Sequence, residues 1–241
     1  MQTKHVVLAG LAMLAASTMV AAGQSQASGT VIGKVQYDGT PPQMKPIEIT
    51  RDESCARLYR NSNTPPPLAE DVVTGRGDSL QNVVVYVSAG APDDEAPSTP
   101  AVFTQKGCRF IPHVLALHVN QELIVKNEDG ATIHNVHPMP KLNPEWNATG
   151  AKASILNKKF AHAEMIPVKC NLHPWMHATF AVLKNSRYAV TGRPGTFRLA
   201  NLPPGTYTIT AWHEVYGDQS KEVTISGNET KTLNFVFKVR P

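Results

Sequence analysis

The stretch Cys170–Met176, CNLHPWM, places a thiol, an imidazole and a thioether on one short loop. A copper ion that alternates between +1 and +2 is well served by a thiolate and two imidazoles in a roughly trigonal plane, with a weak thioether on the axis. The soft thioether argues against zinc or magnesium as the intended ion. Cys170, His173 and Met176 supply three of these four groups, and a second imidazole is needed. The upstream run VKNEDGATIHNVHPM offers two, His134 and His137, three residues apart. Residues an odd number apart on a strand point to opposite faces, so one of the pair faces the ion and the other lies at the surface or behind the site. His177 directly follows Met176 and competes with it for the axial position. The alternative to a metal site is a set of buried side chains that hold nothing.

The elements able to position such a loop are strands. TVIGKVQY (Thr30–Tyr37), TYTITAW (Thr206–Trp212) and TLNFVFKV (Thr232–Val239) alternate in the manner of half-buried strands, the last placing Leu233, Phe235, Phe237 and Val239 on one face. NVVVYV (Asn82–Val87) is a short apolar run. VLALHV (Val114–Val119) and ELIVKN (Glu122–Asn127) read as successive strands joined by a turn. NLPPGTY and ISGNET are turns. Helical pattern is confined to Glu53–Tyr59 and Ala151–Asn157. The expected fold is all-β and sandwich-like. Two Pro-rich stretches, Asn61–Ser79 and Ala91–Ala101, interrupt it as loops or connections.

The N-terminal run after Lys4, VVLAGLAMLAASTMVAAG, has the basic start, apolar middle and small-residue end of an export signal, with cleavage near Ala22 or Ala27. It is short and Ala-rich for a transmembrane anchor. The expected location is periplasmic or otherwise exported, with no membrane span in the mature chain. A net charge of +4 without a Lys/Arg tract gives no nucleic-acid footprint. There is no nucleophile elbow, no recognisable acid–base carboxylate pair and no HExxH, so the chain is not expected to be an enzyme. Three cysteines leave one thiol over in an oxidising compartment.

NEDGATIHNVH together with CNLHPWM resembles the cupredoxin family of blue copper proteins, and within it the amicyanin and plastocyanin-like members, over roughly Ala101 to Leu183. The resemblance implies a Greek-key β-sandwich and one mononuclear type 1 copper ion held by His134, Cys170, His173 and Met176. It further implies that Asn135 braces the cysteine loop. With Cys170 taken by the metal, Cys55 and Cys108 remain, either joined in a disulfide or as two unrelated buried thiols. A second resemblance, carried by YAVTGRPGTFRLANLPPGTYTITAWHE (Tyr188–Glu214) and GTVIGKVQYDGTPP (Gly29–Pro42), is to carboxypeptidase regulatory-like, transthyretin-like β-sandwiches. The implied organisation is a signal peptide (1–27), the N-terminal part of the regulatory-like sandwich (29–90), the copper domain (101–183) and the C-terminal part of that sandwich (184–241).

The expected function is that of an exported blue copper protein carrying single electrons to or from a redox partner protein, such as a cytochrome or periplasmic dehydrogenase. A copper trafficking or storage protein and an exported β-sandwich binding module are the alternatives. His113, His118, His162 and His213 fall at no ligand spacing and are expected to be surface or core residues. Trp175 fits either a core position or an apolar patch at an exposed ligand edge.

Overall fold

The computed structural model describes residues 27–62, 64–130, 132–150 and 155–238. The expected export signal lies outside them, apart from its last residue. Among the described residues no helix is long and apolar enough to cross a membrane. The fold is all-β, as expected. In chain order its elements are β1 (Gly29–Asp38), α1 (Glu53–Ser62), β2 (Val84–Ala89), β3 (Ala101–Gln105), β4 (Phe110–Ile111), β5 (Val114–His118), β6 (Leu123–Asn127), β7 (His134–Pro138) and β8 (Ala148–Gly150). They continue with β9 (Ile155–Lys158), β10 (Glu164–Lys169), β11 (His177–Leu183), β12 (Tyr188–Val190), β13 (Thr196–Leu202), β14 (Gly205–His213), β15 (Gly217–Ile225), β16 (Thr230–Thr232) and β17 (Phe235–Lys238).

Four sheets form two sandwiches. In the first, β1 pairs with β13 antiparallel and with β16 and β17 in parallel, facing a sheet of order β12-β2-β14-β15. Val31, Val85, Leu199, Ile209, Phe235 and Phe237 fill the space between them. The alternation of β1, β14 and β17 is the physical reason: every second side chain leaves water for this core. In the second sandwich, the sheet β5-β11-β10-β7-β8 faces β4-β3-β6-β9 across Phe103, Phe110, Leu117, Phe160 and Phe180.

The sandwiches meet along a third apolar cluster, in which Val84 of β2 packs with Val114 of β5 and with Ala181 and Leu183 of β11. This explains why NVVVYV reads as an unbroken apolar run. Val85 and Val87 face the first core while Val84 faces the seam, and Phe180 and Val182 face the second core while Ala181 and Leu183 face the seam. Strands buried on both faces lose their alternation.

Glu53–Ser62 is helical, with the Asp52 carboxylate accepting the N–H groups of Ser54 (2.8 Å) and Cys55 (3.1 Å), an N-cap arrangement. The second expected helix is contradicted over its last three residues. Of Ala151–Asn157, residues 151–154 lie outside the described set, and Ile155–Asn157 belong to β9, which pairs antiparallel with β6. Partnership with an open sheet edge outweighs the helical propensity of the segment. Cys55 and Cys108 are joined in a disulfide, which ties α1 to the turn before β4.

Candidate metal centre

Three elements converge at one end of the second sandwich. His134 opens β7. Cys170 follows the last residue of β10, and His177 opens β11, so CNLHPWM is the connection between two neighbouring strands. β10 pairs with β7 at Val168↔Pro138 and Lys169↔His137, which brings the loop beside the upstream histidines. The loop closes on itself: the Cys170 N–H donates to the Met176 carbonyl at 3.0 Å, and the Met176 N–H to the His173 carbonyl at 2.9 Å.

The side chains of His134, Cys170 and His173 come together, with a ligand atom of each within 4.8 Å of the others. Their relative exposures are 0%, 3% and 3%. Nδ1 of His134 lies 3.0 Å from Nδ1 of His173, which lies 3.7 Å from the Cys170 sulfur. Donors bound to one ion at about 2.0 Å for nitrogen and 2.3 Å for sulfur, near trigonal angles, sit roughly 3.1–3.7 Å apart. The spacing of the three groups, and their soft and borderline chemistry, therefore fit a copper ion. Met176 is buried in the same core as Cys170. His137 points elsewhere: its ring reaches Asn171 Oδ1 at 3.2 Å and Glu145 Oε1 at 2.5 Å. His177 is also absent from the cluster, its Nε2 lying 3.1 Å from Asp71 Oδ1.

Each imidazole is held from behind by a carboxylate. His134 Nε2 lies 2.8 Å from Asp129 Oδ2, and His173 Nε2 lies 3.3 Å from Asp52 Oδ2. A ring whose Nε2–H is donated to a carboxylate turns Nδ1 toward the metal position and becomes a more basic ligand. Asp129 is itself fixed by the N–H groups of Gly107 and Cys108, and burial, which opposes its ionisation, is outweighed by His134 and these two donors. Asp52 uses Oδ1 to cap α1 and Oδ2 to hold His173, and the Ser54 hydroxyl and the capping N–H groups bring it down to about 2. Asn135 Oδ1 accepts the Asn171 N–H at 2.7 Å and lies 3.2 Å from the Cys170 sulfur. It thus anchors the start of the cysteine loop.

Electrostatics prepare the thiolate. Burial alone would push the Cys170 thiol up, but the His134 imidazole and backbone N–H groups around the loop overcome it and bring the thiol to about 6. Burial also opposes charge on His134, yet Asp129 and Cys170 raise it to about 8. His134, Cys170 and His173 would hold a cation, and the surroundings of the thiol favour its anionic form, the form that binds metal.

Asp52 and Asp129 are the functional residues that sequence spacing did not reveal. The local signals were present: Asp52 precedes a helical pattern as an N-cap does, and Asp129 lies in the turn NEDG. What the sequence lacked was the fold that carries Asp52 to His173. Of the two readings open for Trp175, a core position or an apolar patch at an exposed ligand edge, the structure shows the first. Asp52, at the start of α1, lies against His173, and Trp175 packs on the second core with its Nε1–H donated to the Cys108 carbonyl at 3.1 Å. Two exposed apolar residues, Ile133 and Leu172, line a shallow pocket with Asp52 and His173. Of the remaining histidines, His118 is buried against Asp94 and the Val119 carbonyl, as a satisfied core residue. His113 is not a bland residue, since it meets Glu214 and the ring of His177.

Residues 174–238 match the carboxypeptidase regulatory-like domain family. The match begins inside the ligand loop and includes β11, which belongs to the second sandwich. No curated protein matches the chain by sequence. Similar solved structures include a copper-containing nitrite reductase from Thermus scotoductus, 21% identical over 41% of this chain with a TM-score of 0.34. The chain spans only 25% of that enzyme. A purple cupredoxin from Nitrosopumilus maritimus is 16% identical over 34% of this chain and 99% of its own, TM-score 0.30. A single-residue variant of amicyanin in its reduced state is 19% identical over 41% of this chain and 98% of its own, TM-score 0.32.

Proposed function

We propose that the protein is an exported carrier of single electrons, built around one copper ion held by His134, Cys170, His173 and Met176. The observation that carries this reading is the convergence of two imidazole Nδ1 atoms and a low-pKa thiol in a dry pocket, each backed by a hydrogen-bonding partner on another segment. Copper bound there would supply a one-electron couple. The chain's part is to hold the donors still, exclude water and present an apolar rim at Ile133 and Leu172 where a redox partner protein docks. Fixed donors keep the geometry common to both oxidation states, which limits the reorganisation that accompanies each transfer.

Burial of all three donors argues for a carrier over a trafficking protein, because handing copper to another protein requires ligands that can be reached and exchanged. The same chain is read as two units, residues 101–183 bearing the metal, with 29–90 and 184–241 completing a regulatory-like sandwich around them. No substrate is transformed in this scheme. Protein-film voltammetry of the copper-loaded protein, with a competing Cu(I) chelator present, tests it. A reversible one-electron wave with copper retained in both states supports a carrier, whereas loss of Cu(I) to the chelator on reduction would favour trafficking.

A further inference from the structure

Away from the thiolate cluster, a second group of donors meets at the seam between the sandwiches. His113 comes from the turn between β4 and β5, His177 opens β11, and Glu214 follows β14. One ligand atom from each lies within 4.8 Å of the others. His113 Nε2 contacts Glu214 Oε1, and the His113 and His177 rings meet edge to face with centroids 5.2 Å apart. His113 is buried, whereas His177 is partly open to solvent. Asp71, 3.1 Å from His177 Nε2, adds a second carboxylate at the rim. His113 and His177 line a pocket that also contains Trp175 and Met176, so a solvated ion has an entry path.

We infer that His113, His177 and Glu214 form a second metal site, one that takes a divalent cation of borderline softness such as Zn2+ or Cu2+. Two imidazoles and a carboxylate are the donor set such ions prefer, and calcium or magnesium would instead require several oxygens. The surroundings suit a cation: Glu214, Glu70 and Asp71 all act on His113 with the same sign. An ion here takes the place of the proton between His113 and Glu214, and turns a hydrogen bond across the seam into a coordinate link. Three protein donors leave a position for water or for Asp71. The site does not depend on the reading of the thiolate cluster, although His177 is bonded directly to Met176.

The test uses Zn2+ on the metal-free, full-length chain in a Cys170→Ser background, which silences the thiolate. Calorimetric titration is read together with the histidine ring resonances in NMR. The expected result is one tightly bound Zn2+ per chain, with the His113 and His177 signals shifting together and saturating at one equivalent. His177→Ala and Glu214→Gln should each weaken binding by about tenfold or more, the scale on which even outer groups act at metal sites. His113→Gln, which keeps a donor for Glu214 and so preserves the contact across the seam, should do the same. Unmoved His113 and His177 signals at millimolar Zn2+ would overturn the assignment. Binding of undiminished affinity in folded His177→Ala and His113→Gln proteins would overturn it as well, and would leave these residues as a hydrogen-bonded pin.

Discussion

At one end of the second sandwich three potential ligands and Asp129 are packed out of solvent, with the partly exposed Asp52 at their rim, each with a named partner. The first sandwich buries comparable apolar material, Val31, Val35, Leu80, Phe235 and Phe237 among it, yet its own buried imidazole, His213, is treated differently. His213 Nδ1 accepts the Val215 N–H at 3.1 Å, its Nε2 has no partner, and its ring stacks on Tyr216. Among the described residues no carboxylate is hydrogen-bonded to it. Burial pushes it down to about 4, so it stays neutral, whereas His134, equally buried, is raised to about 8 because Asp129 and Cys170 compensate. The difference teaches what separates a site from a core. Burial alone disfavours charge, and it takes oriented partners to keep polar groups ready for a cation.

The largest effect expected from breaking this contrast is at the sulfur. Cys170→Ser removes the only soft anionic donor among the four proposed ligands and should abolish most copper affinity at that centre. A competition assay against a chelator of known affinity reads the loss. Retention of wild-type affinity would place the ion elsewhere.

Next in size is the disulfide, which belongs to the side of the candidate metal centre. Cys55 and Cys108 are 53 residues apart in sequence. Closing a loop of that length is worth about 4 kcal/mol in the chain-entropy account. Cys55→Ala/Cys108→Ala should lower the denaturation midpoint correspondingly and loosen the segment that carries Asp52 to His173. Equal stability of the two proteins in urea would contradict this.

His213 tests the other half of the contrast. Its folded value lies below the ordinary 6.5, so the unfolded chain binds the extra proton first as pH falls. The stabilisation is complete above about 6.5 and is lost progressively toward 4, about 3 kcal/mol in all. His113, raised by Glu214 although burial opposes it, works in the opposite sense and above that window: its contribution is complete below 6.5 and fades as pH rises. Urea midpoints between pH 6.5 and 4.5 should therefore fall steeply for the wild type and less for His213→Gln. Parallel curves would show that His213 is not the group responsible.

The smallest effect is expected at Asp52, which acts through another residue. Asp52→Asn leaves a weaker acceptor for His173 Nε2 and should cost about tenfold to a hundredfold in copper affinity. The reduction potential should rise at the same time, because a less basic imidazole favours Cu(I). A merely structural role, as the cap of α1, would lower stability while leaving the potential where it was.

Legibility in the sequence followed the same division. The juxtaposition of His134, Cys170 and His173 was readable because two short contiguous segments carry them and the chemistry restricts the residue types. The strands β1, β14 and β17 were readable from alternation, since each has one wet face. Two things were not. The β9 segment reads as helix, and only the open edge of β6 makes it a strand. Asp52 reaches His173 by a non-local route, across 121 positions, whereas Asp129 sits five positions before His134 in a turn that carries no ligand spacing of its own. The cluster of His113, His177 and Glu214 is likewise assembled from three distant places, so no spacing rule could disclose it. His177 read as a rival to Met176 only because the two are adjacent in sequence, and strand alternation sends it to Asp71 instead.

The central claim is that a thiolate and two imidazoles bind copper as a redox couple, and titration of Cu2+ into purified metal-free protein under visible absorption tests it most directly. An intense thiolate-to-Cu(II) band is predicted, one that grows with added copper, bleaches on one-electron reduction and returns on reoxidation. A colourless or faintly coloured Cu(II) complex would contradict the account.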